Sequence, residues 1–139
     1  MTAYVIDTNV LSELARPVPA PSVIAFLNLA SDSFVSTIVF HELAYGITRL
    51  ADDARKARLT AFADAFKNRF AGRILPITVQ IAEIAGRLRA VEANSGRVLS
   101  PLDSLMAATA VAQGATLATR NIKDFDRLGI ALLDPWLNR

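Results

Sequence analysis

The sequence predicts an α/β fold, three layers (α/β/α) around a central parallel sheet of about four or five short strands. Three observations carry this. Short apolar runs alternate along the chain with segments whose apolar residues recur at helical spacing. The runs have no polar interruption, as in strands covered on both faces rather than half-solvated ones. Three of them stop directly on polar residues: Ile6 on Asp7-Thr8-Asn9, Val35 on Ser36-Thr37, and Ala118 on Thr119-Arg120-Asn121. In a parallel sheet such residues share one edge, the carboxyl edge, where ligands bind near a topological switch point.

Taken in order, Ala3 to Ile6 is the first strand, and Thr8 or Asn9 can cap a helix running to about Ala15. The prolines at positions 17, 19 and 21 break the chain, because proline removes a donor and restricts the residue before it. Ser22 to Ala30 is helical, with Val23, Phe26, Leu27 and Ala30 on one face. Phe34 to Ser36 is the second strand, followed by a helix from about Ile38 to Leu50. A long helix from about Asp53 to Phe70 aligns Leu59, Phe62, Ala63, Phe66 and Phe70. Arg73 to Pro76 is the third strand, and Val79 to Ala93 a helix ending near Asn94-Ser95-Gly96. Ser100-Pro101 opens the next helix, which reaches about Gln113-Gly114. Thr116 to Ala118 is the fourth strand and Ile130 to Leu133 a short fifth. No repeat, linker or domain boundary interrupts residues 1–139.

Composition narrows the function classes. In 139 residues, 53% are hydrophobic and mean hydropathy is +0.34, yet no window approaches the ~18 apolar residues of a membrane span. Asp7 and Glu13 interrupt the region where a signal peptide would need its apolar core. The absence of cysteine excludes disulfides and thiolate metal sites and fits the cytoplasm. Surplus apolar surface implies a partner interface. A net charge of +2 does not diagnose nucleic-acid binding. Even so, Arg55, Lys56, Arg58, Lys67, Arg69 and Arg73 cluster, with Arg87, Arg89 and Arg97 close behind, either as solvated helix faces or as a polyanion surface.

The carboxylates carry the chemistry. Asp7 alone serves equally as a turn former or a cap. Glu42 lies beside the stripe Val39, Leu43, Ile47 and Leu50, which directs it towards the protein body. Asp103 stands third in a helix opened by Ser100 and Pro101, close to a capping box, and the helix dipole favours it there. It also borders the inward stripe Leu102, Leu105, Met106 and Thr109. Asp124 follows the fourth strand in what reads as a turn. Together, three or four carboxylates at the ends of the first and fourth strands would repel one another and raise their own pKa values unless a cation neutralised them. Oxygen ligands without cysteine point to Mg²⁺ or Mn²⁺, which can activate water for phosphodiester hydrolysis. The single histidine, His41, excludes a two-histidine acid–base mechanism and reads as a helix-face residue. No nucleophile elbow or glycine-rich phosphate loop is present.

These residues sit in four segments: Val5–Leu14 (VIDTNVLSEL), Ser36–Gly46 (STIVFHELAYG), Pro101–Ala110 (PLDSLMAATA) and Ala118–Phe125 (ATRNIKDF). Their order and spacing resemble the PIN-domain family, and within it the VapC-type toxins, the ribonucleases of bacterial toxin–antitoxin pairs. The resemblance implies an endoribonuclease dependent on Mg²⁺ or Mn²⁺, with Asp7, Glu42 and Asp103 as the matching acids. Asp7 and Asp103 would hold the metal, and Glu42 would complete the shell or orient the attacking water. Some members carry an acid where this chain has Asn121; Asp124 can substitute, and Asn121 can still donate to a phosphate or water. Arg120 is the leading candidate for a phosphate contact. The resemblance also implies a VapB-like antitoxin that sends a basic side chain to the acidic site, and a homodimer formed through helices. Val10, Leu11, Leu14, Phe62 and Phe66 are expected to line the antitoxin groove. Two other readings stand beside it. A haloacid-dehalogenase-like phosphohydrolase would use Asp7 as nucleophile, although its second aspartate is Asn9 here. A PIN fold without activity would serve only to bind protein.

Overall fold

The computed structural model describes residues 2–137. Among these residues five short strands form, all pairing in parallel: β1 (Tyr4–Ile6), β2 (Val35–Ser36), β3 (Ile74–Leu75), β4 (Thr116–Ala118) and β5 (Leu132–Leu133). β1 pairs with β4 in the register Ile6 to Ala118, and β4 pairs with β5. β2 and β3 make a separate two-stranded piece. A single bridge between Val5 and Phe34 joins the two pieces, through Phe34 N–H to Tyr4 O (2.8 Å) and Ile6 N–H to Phe34 O (2.9 Å). The spatial order is therefore β3-β2-β1-β4-β5. Its winding reverses between β1 and β4, and such a switch point is where an open α/β sheet builds a site.

Among the described residues seven helices connect the strands: α1 (Thr8–Glu13), α2 (Pro21–Leu29), α3 (Thr37–Thr48), α4 (Ala54–Arg69), α5 (Val79–Asn94), α6 (Pro101–Gln113) and α7 (Ile122–Phe125). Polar caps start most of them by satisfying the free N–H groups of the first turn. Ser36 accepts from Ile38 N–H, Asp53 from Arg55 and Lys56, and Thr78 from Ile81. Gly114, at φ 65°, ends α6 in the left-handed conformation that favours glycine. None of the helices among the described residues is long and apolar enough to cross a membrane.

The core holds Val5, Ile6, Val35, Leu117 and Ala118 of the strands with Phe26, Phe66, Phe70, Met106 and Phe125. Ala107, Ala108 and Ala110 let α6 approach its neighbours closely, and Ile81 and Ala85 of α5 pack against Ala108. Three local expectations change. α1 stops at Glu13 rather than Ala15, because Leu14 and Ala15 N–H turn back to Leu11 and Ser12 carbonyls. The buried Glu13 carboxylate then accepts from Ala20 N–H at 2.8 Å and closes the proline loop. The turn after β4 is a helix of four residues, α7, and β5 covers only the last two of the four residues expected.

Candidate active site

β1 ends on Asp7, which also caps α1: its Oδ1 accepts from Thr8 N–H at 2.8 Å. Its Oδ2 accepts from Thr119 Oγ1 at 2.7 Å and Asn9 Nδ2 at 3.2 Å. Thr119, one residue beyond β4, is itself fixed. Its Oγ1 accepts from Asn121 N–H (3.0 Å) and Asn9 Nδ2 (3.3 Å), while Asn9 Oδ1 accepts from Arg120 N–H (3.1 Å). The loops after β1 and β4 are thus laced together around one carboxylate. Asp7 is only 8% exposed, and burial pushes its pKa above the usual aspartate value. Hydrogen bonds from Thr119 and Thr8 oppose that shift, and the charge of Glu42 adds to it.

The other acids approach from separate elements. Asp103 lies in the first turn of α6, half-buried. Burial raises its pKa, Ser100 partly offsets the shift, and the charges of Asp7 and Asp124 raise it further. Of the capping box expected there, one half forms: Ser100 Oγ accepts from Asp103 N–H at 3.2 Å. Among the described residues no bond from Ser100 N–H to the Asp103 carboxylate completes it; the carboxylate feels the Ser100 side chain and the charges of Asp7 and Asp124. Glu42 on α3 reaches the site through Thr8, whose hydroxyl donates to Glu42 Oε1 at 2.6 Å. Asp124 is exposed on α7 and lines a polar pocket with Asp103.

The expected cluster is therefore corrected in form. Among the described residues, no three Asp, Glu or His side chains are gathered as a ready ligand set. The acids run instead as a series, Glu42, Asp7, Asp103, Asp124, each close enough to influence the next. A hard divalent cation fits this donor set, because Mg²⁺ is bound by one or two carboxylates and keeps waters and substrate phosphate as its remaining ligands. Burial raises the pKa of both Asp7 and Asp103, with the charge of Glu42 adding at Asp7 and those of Asp7 and Asp124 at Asp103, a balance that a bound cation would reverse.

Other expected residues take varied places. Ser36 is buried and spends its hydroxyl on capping α3. Arg120 is exposed, with its guanidinium 4.7 Å over the Trp136 ring. Asn121 enters the network through its backbone N–H alone; its exposed side chain makes no hydrogen bond among the described residues. His41 is exposed on α3. Thr8, Asn9 and Thr119 are the positioning residues that a search for acids passes over, although each stands in one of the polar strand ends quoted above.

A second cavity, of about 560 Å³, lies between α1, α3 and α4 and includes Thr8 and Glu42 in its lining. Leu43, Ile47, Leu50, Leu59 and Phe62 supply its apolar surface, and Arg16, Arg55 and Arg58 its basic one. Of the five residues expected to line a groove, Phe62 does. Val10, Leu11 and Phe66 are buried in the core instead, and Leu14 packs against it. Conversely, Leu43, Ile47 and Leu50 of α3, read as core, are half-covered and line the groove, with Leu43 also packed against the core.

Comparison with known proteins agrees with this architecture. The PIN domain pattern matches residues 4–131. Toxin FitB of Neisseria gonorrhoeae is 34% identical over 134 residues, covering 94% of this chain and 96% of that protein. VapC ribonuclease Y4jK of Sinorhizobium fredii is 32% identical, covering 95% and 96%. The crystal structure of FitAcB from Neisseria gonorrhoeae superposes with a TM-score of 0.88 at 33% identity, over 96% of this chain and 99% of that one. With the acids of β1, α3 and α6 brought to one sheet edge and the family pattern spanning nearly every residue, the chain belongs to the PIN-domain family, in its VapC toxin group.

Proposed function

We propose that this chain is a Mg²⁺- or Mn²⁺-dependent endoribonuclease, acting in the cytoplasm as the toxin of a toxin–antitoxin pair, with residues 1–139 as a single ribonuclease domain. The observation that carries this reading is Asp7, a buried carboxylate at the switch point of the sheet, coupled by charge to Asp103 and Glu42. The ribonuclease name of the relative Y4jK supports the reaction class. When bound, the cation supplies the charge that activates water and steadies the leaving oxygen. Thr119, Thr8 and Asn9 hold Asp7 in one orientation, so Asp7, with Asp103 beside it, would hold the ion. Glu42, steadied by the Thr8 hydroxyl, orients the attacking water and takes its proton. Asp124 completes the acidic edge. The haloacid-dehalogenase reading loses support because Asn9 is spent on Asp7, Thr119 and Arg120 N–H. The test is single-stranded RNA incubated with purified chain, freed of any bound inhibitor protein, with Mg²⁺ or Mn²⁺ and again with chelator. Cleavage only with the cation is expected. No cleavage under either condition would favour the protein-binding reading, and phosphate release from a phosphomonoester the phosphohydrolase.

Arg120, exposed and stacked on Trp136, is the proposed contact for a substrate phosphate. Arg120→Ala is expected to flatten the log–log salt dependence of RNA binding by about 0.7, one contact on a single strand. Unchanged affinity and slope would remove it from the substrate path.

The toxin requires a neutralising partner, and the groove between α1, α3 and α4 suits an amphipathic antitoxin segment. Its apolar wall receives the segment's apolar face, while the Glu42 end attracts a basic side chain that competes with the cation. Phe62→Asp is expected to weaken antitoxin binding by about tenfold or more, as expected when a charge enters an apolar contact, and to spare cleavage. Normal inhibition would place the antitoxin elsewhere. We also propose a two-fold homodimer through helices, supported by the exposed Val79 and Val91 of α5 and Val111 of α6. Sedimentation of the chain alone should give twice the monomer mass, and a clean monomer would contradict this.

A further inference from the structure

We propose that the polar pocket beside Asp103 is a phosphate subsite, holding the RNA backbone next to the bond being cut. This rests on the ribonuclease reading above. The pocket, of about 280 Å³, lies between the α5–α6 connection and α7, and its charged lining is Glu92, Arg97, Asp103, Lys123, Asp124 and Arg127. Its size is just below the ~300 Å³ at which small-molecule sites begin, enough for a phosphate with part of its sugar. No aromatic side chain lines it, so it offers a nucleobase no stacking surface and suits the backbone instead.

The six charges do not act alike. Arg97 and Glu92 satisfy each other in a two-pronged pair, Nε to Oε2 and Nη2 to Oε1, both at 2.9 Å. That pair shapes the connection, which Arg89 also steadies by donating to Leu99 O at 3.2 Å. Lys123 of α7 and Arg127 just beyond its end remain, both exposed and neither in an ion pair or side-chain hydrogen bond among the described residues. Arg127 adds to the field that Glu92 feels, but both Glu92 oxygens are engaged at contact distance by Arg97. Two cations without a contact partner thus line the cavity and form a site for a phosphate: the ammonium as a compact charge and the guanidinium as a planar fork.

Asp103 and Asp124 oppose them. With all six groups ionised the lining holds three acids and three bases, so the pocket has no net attraction for a polyanion. Asp103 belongs both to this lining and to the pair proposed to hold the cation. A divalent ion there cancels the acidic side and leaves Lys123 and Arg127 in excess. The subsite is therefore coupled to loading of the reaction centre, and it is contiguous with it.

The experiment measures binding of a short single-stranded RNA by the full chain in Ca²⁺, with the RNA checked to be intact, and again in chelator. Wild type is compared with Lys123→Ala/Arg127→Ala across a salt series, and KM and kcat are then compared in Mg²⁺. Wild type should bind more tightly in Ca²⁺ than in chelator. The double variant should lose that gain, show a slope shallower by about 0.7, and raise KM with kcat held. Lys123→Ala alone, at an exposed position, should give a partial loss in the same direction. A double variant with the wild-type slope and KM would overturn the subsite and leave the ribonuclease reading standing. Wild-type chain that neither binds nor cuts RNA with any cation would overturn both.

Discussion

Asp7→Asn is expected to abolish RNA cleavage, a loss of about 10²–10³-fold or more, the scale on which removal of a preorganised charge partner is felt. Asn keeps the cap on Thr8 N–H, while its amide nitrogen gives up the bonds that Asp7 Oδ2 accepts from Thr119 and Asn9. Relief from burying a charge offsets the altered bonds, so stability in chelator should hold or rise. Asp103→Asn should lose activity to a similar extent. Its cost in helix capping is small, because the Ser100 cap is made to the backbone N–H, which the substitution keeps. Ser100→Ala, which removes that cap, should instead cost about 1 kcal/mol. Cleavage assays paired with thermal melts in chelator read both effects. A variant that retains full cation-dependent cleavage would remove its residue from the site.

Glu42→Gln is expected to cost about 10²-fold in cleavage, the lower range for losing a positioned proton acceptor, and His41→Ala to leave the rate nearly unchanged. The two residues are neighbours in sequence on α3 and differ in direction. Glu42 is bonded to Thr8 beside Asp7, whereas His41 is exposed. Because Gln can still accept from the Thr8 hydroxyl, the substitution leaves the local packing in place and isolates the charge. The opposite ranking of the two variants would transfer the proton-accepting role to histidine.

The site was legible where it depends on local rules. Asp7 and Thr119 stand where apolar strands stop, and parallel pairing of β1 with β4 then brings the two together without any further information. Ser100 and Pro101 announce the start of α6 through capping chemistry alone. What failed depended on tertiary placement. Periodicity finds the apolar stripe of a helix but not what covers it, so Ile47 and Leu50 read as core while Val10, Leu11 and Phe66 read as groove. The α7 helix, at four residues, is too short to show a period. The bond from Thr8 to Glu42 spans 34 positions, and no local rule reports a contact of that kind. For the same reason sequence placed the acids at one edge but could not tell a tight cluster from a series.

The central claim is that Asp7 and Asp103 together hold a divalent cation, and thermal unfolding with and without Mn²⁺ across pH tests it most directly. Both carboxyls have raised pKa values in the cation-free fold. Each therefore contributes most to stability below the ordinary aspartate value of 3.8, and that contribution is lost as pH rises through the raised pKa. A cation that binds the charged pair opposes this loss, and at about 100 times its Kd adds about 2.7 kcal/mol. The wild-type midpoint at neutral pH should rise by several degrees with Mn²⁺, and the gain should fade as the carboxyls protonate. Asp7→Asn and Asp103→Asn should each abolish it. Equal stabilisation of wild type and both variants, or none in wild type while RNA is still cut, would contradict the assignment.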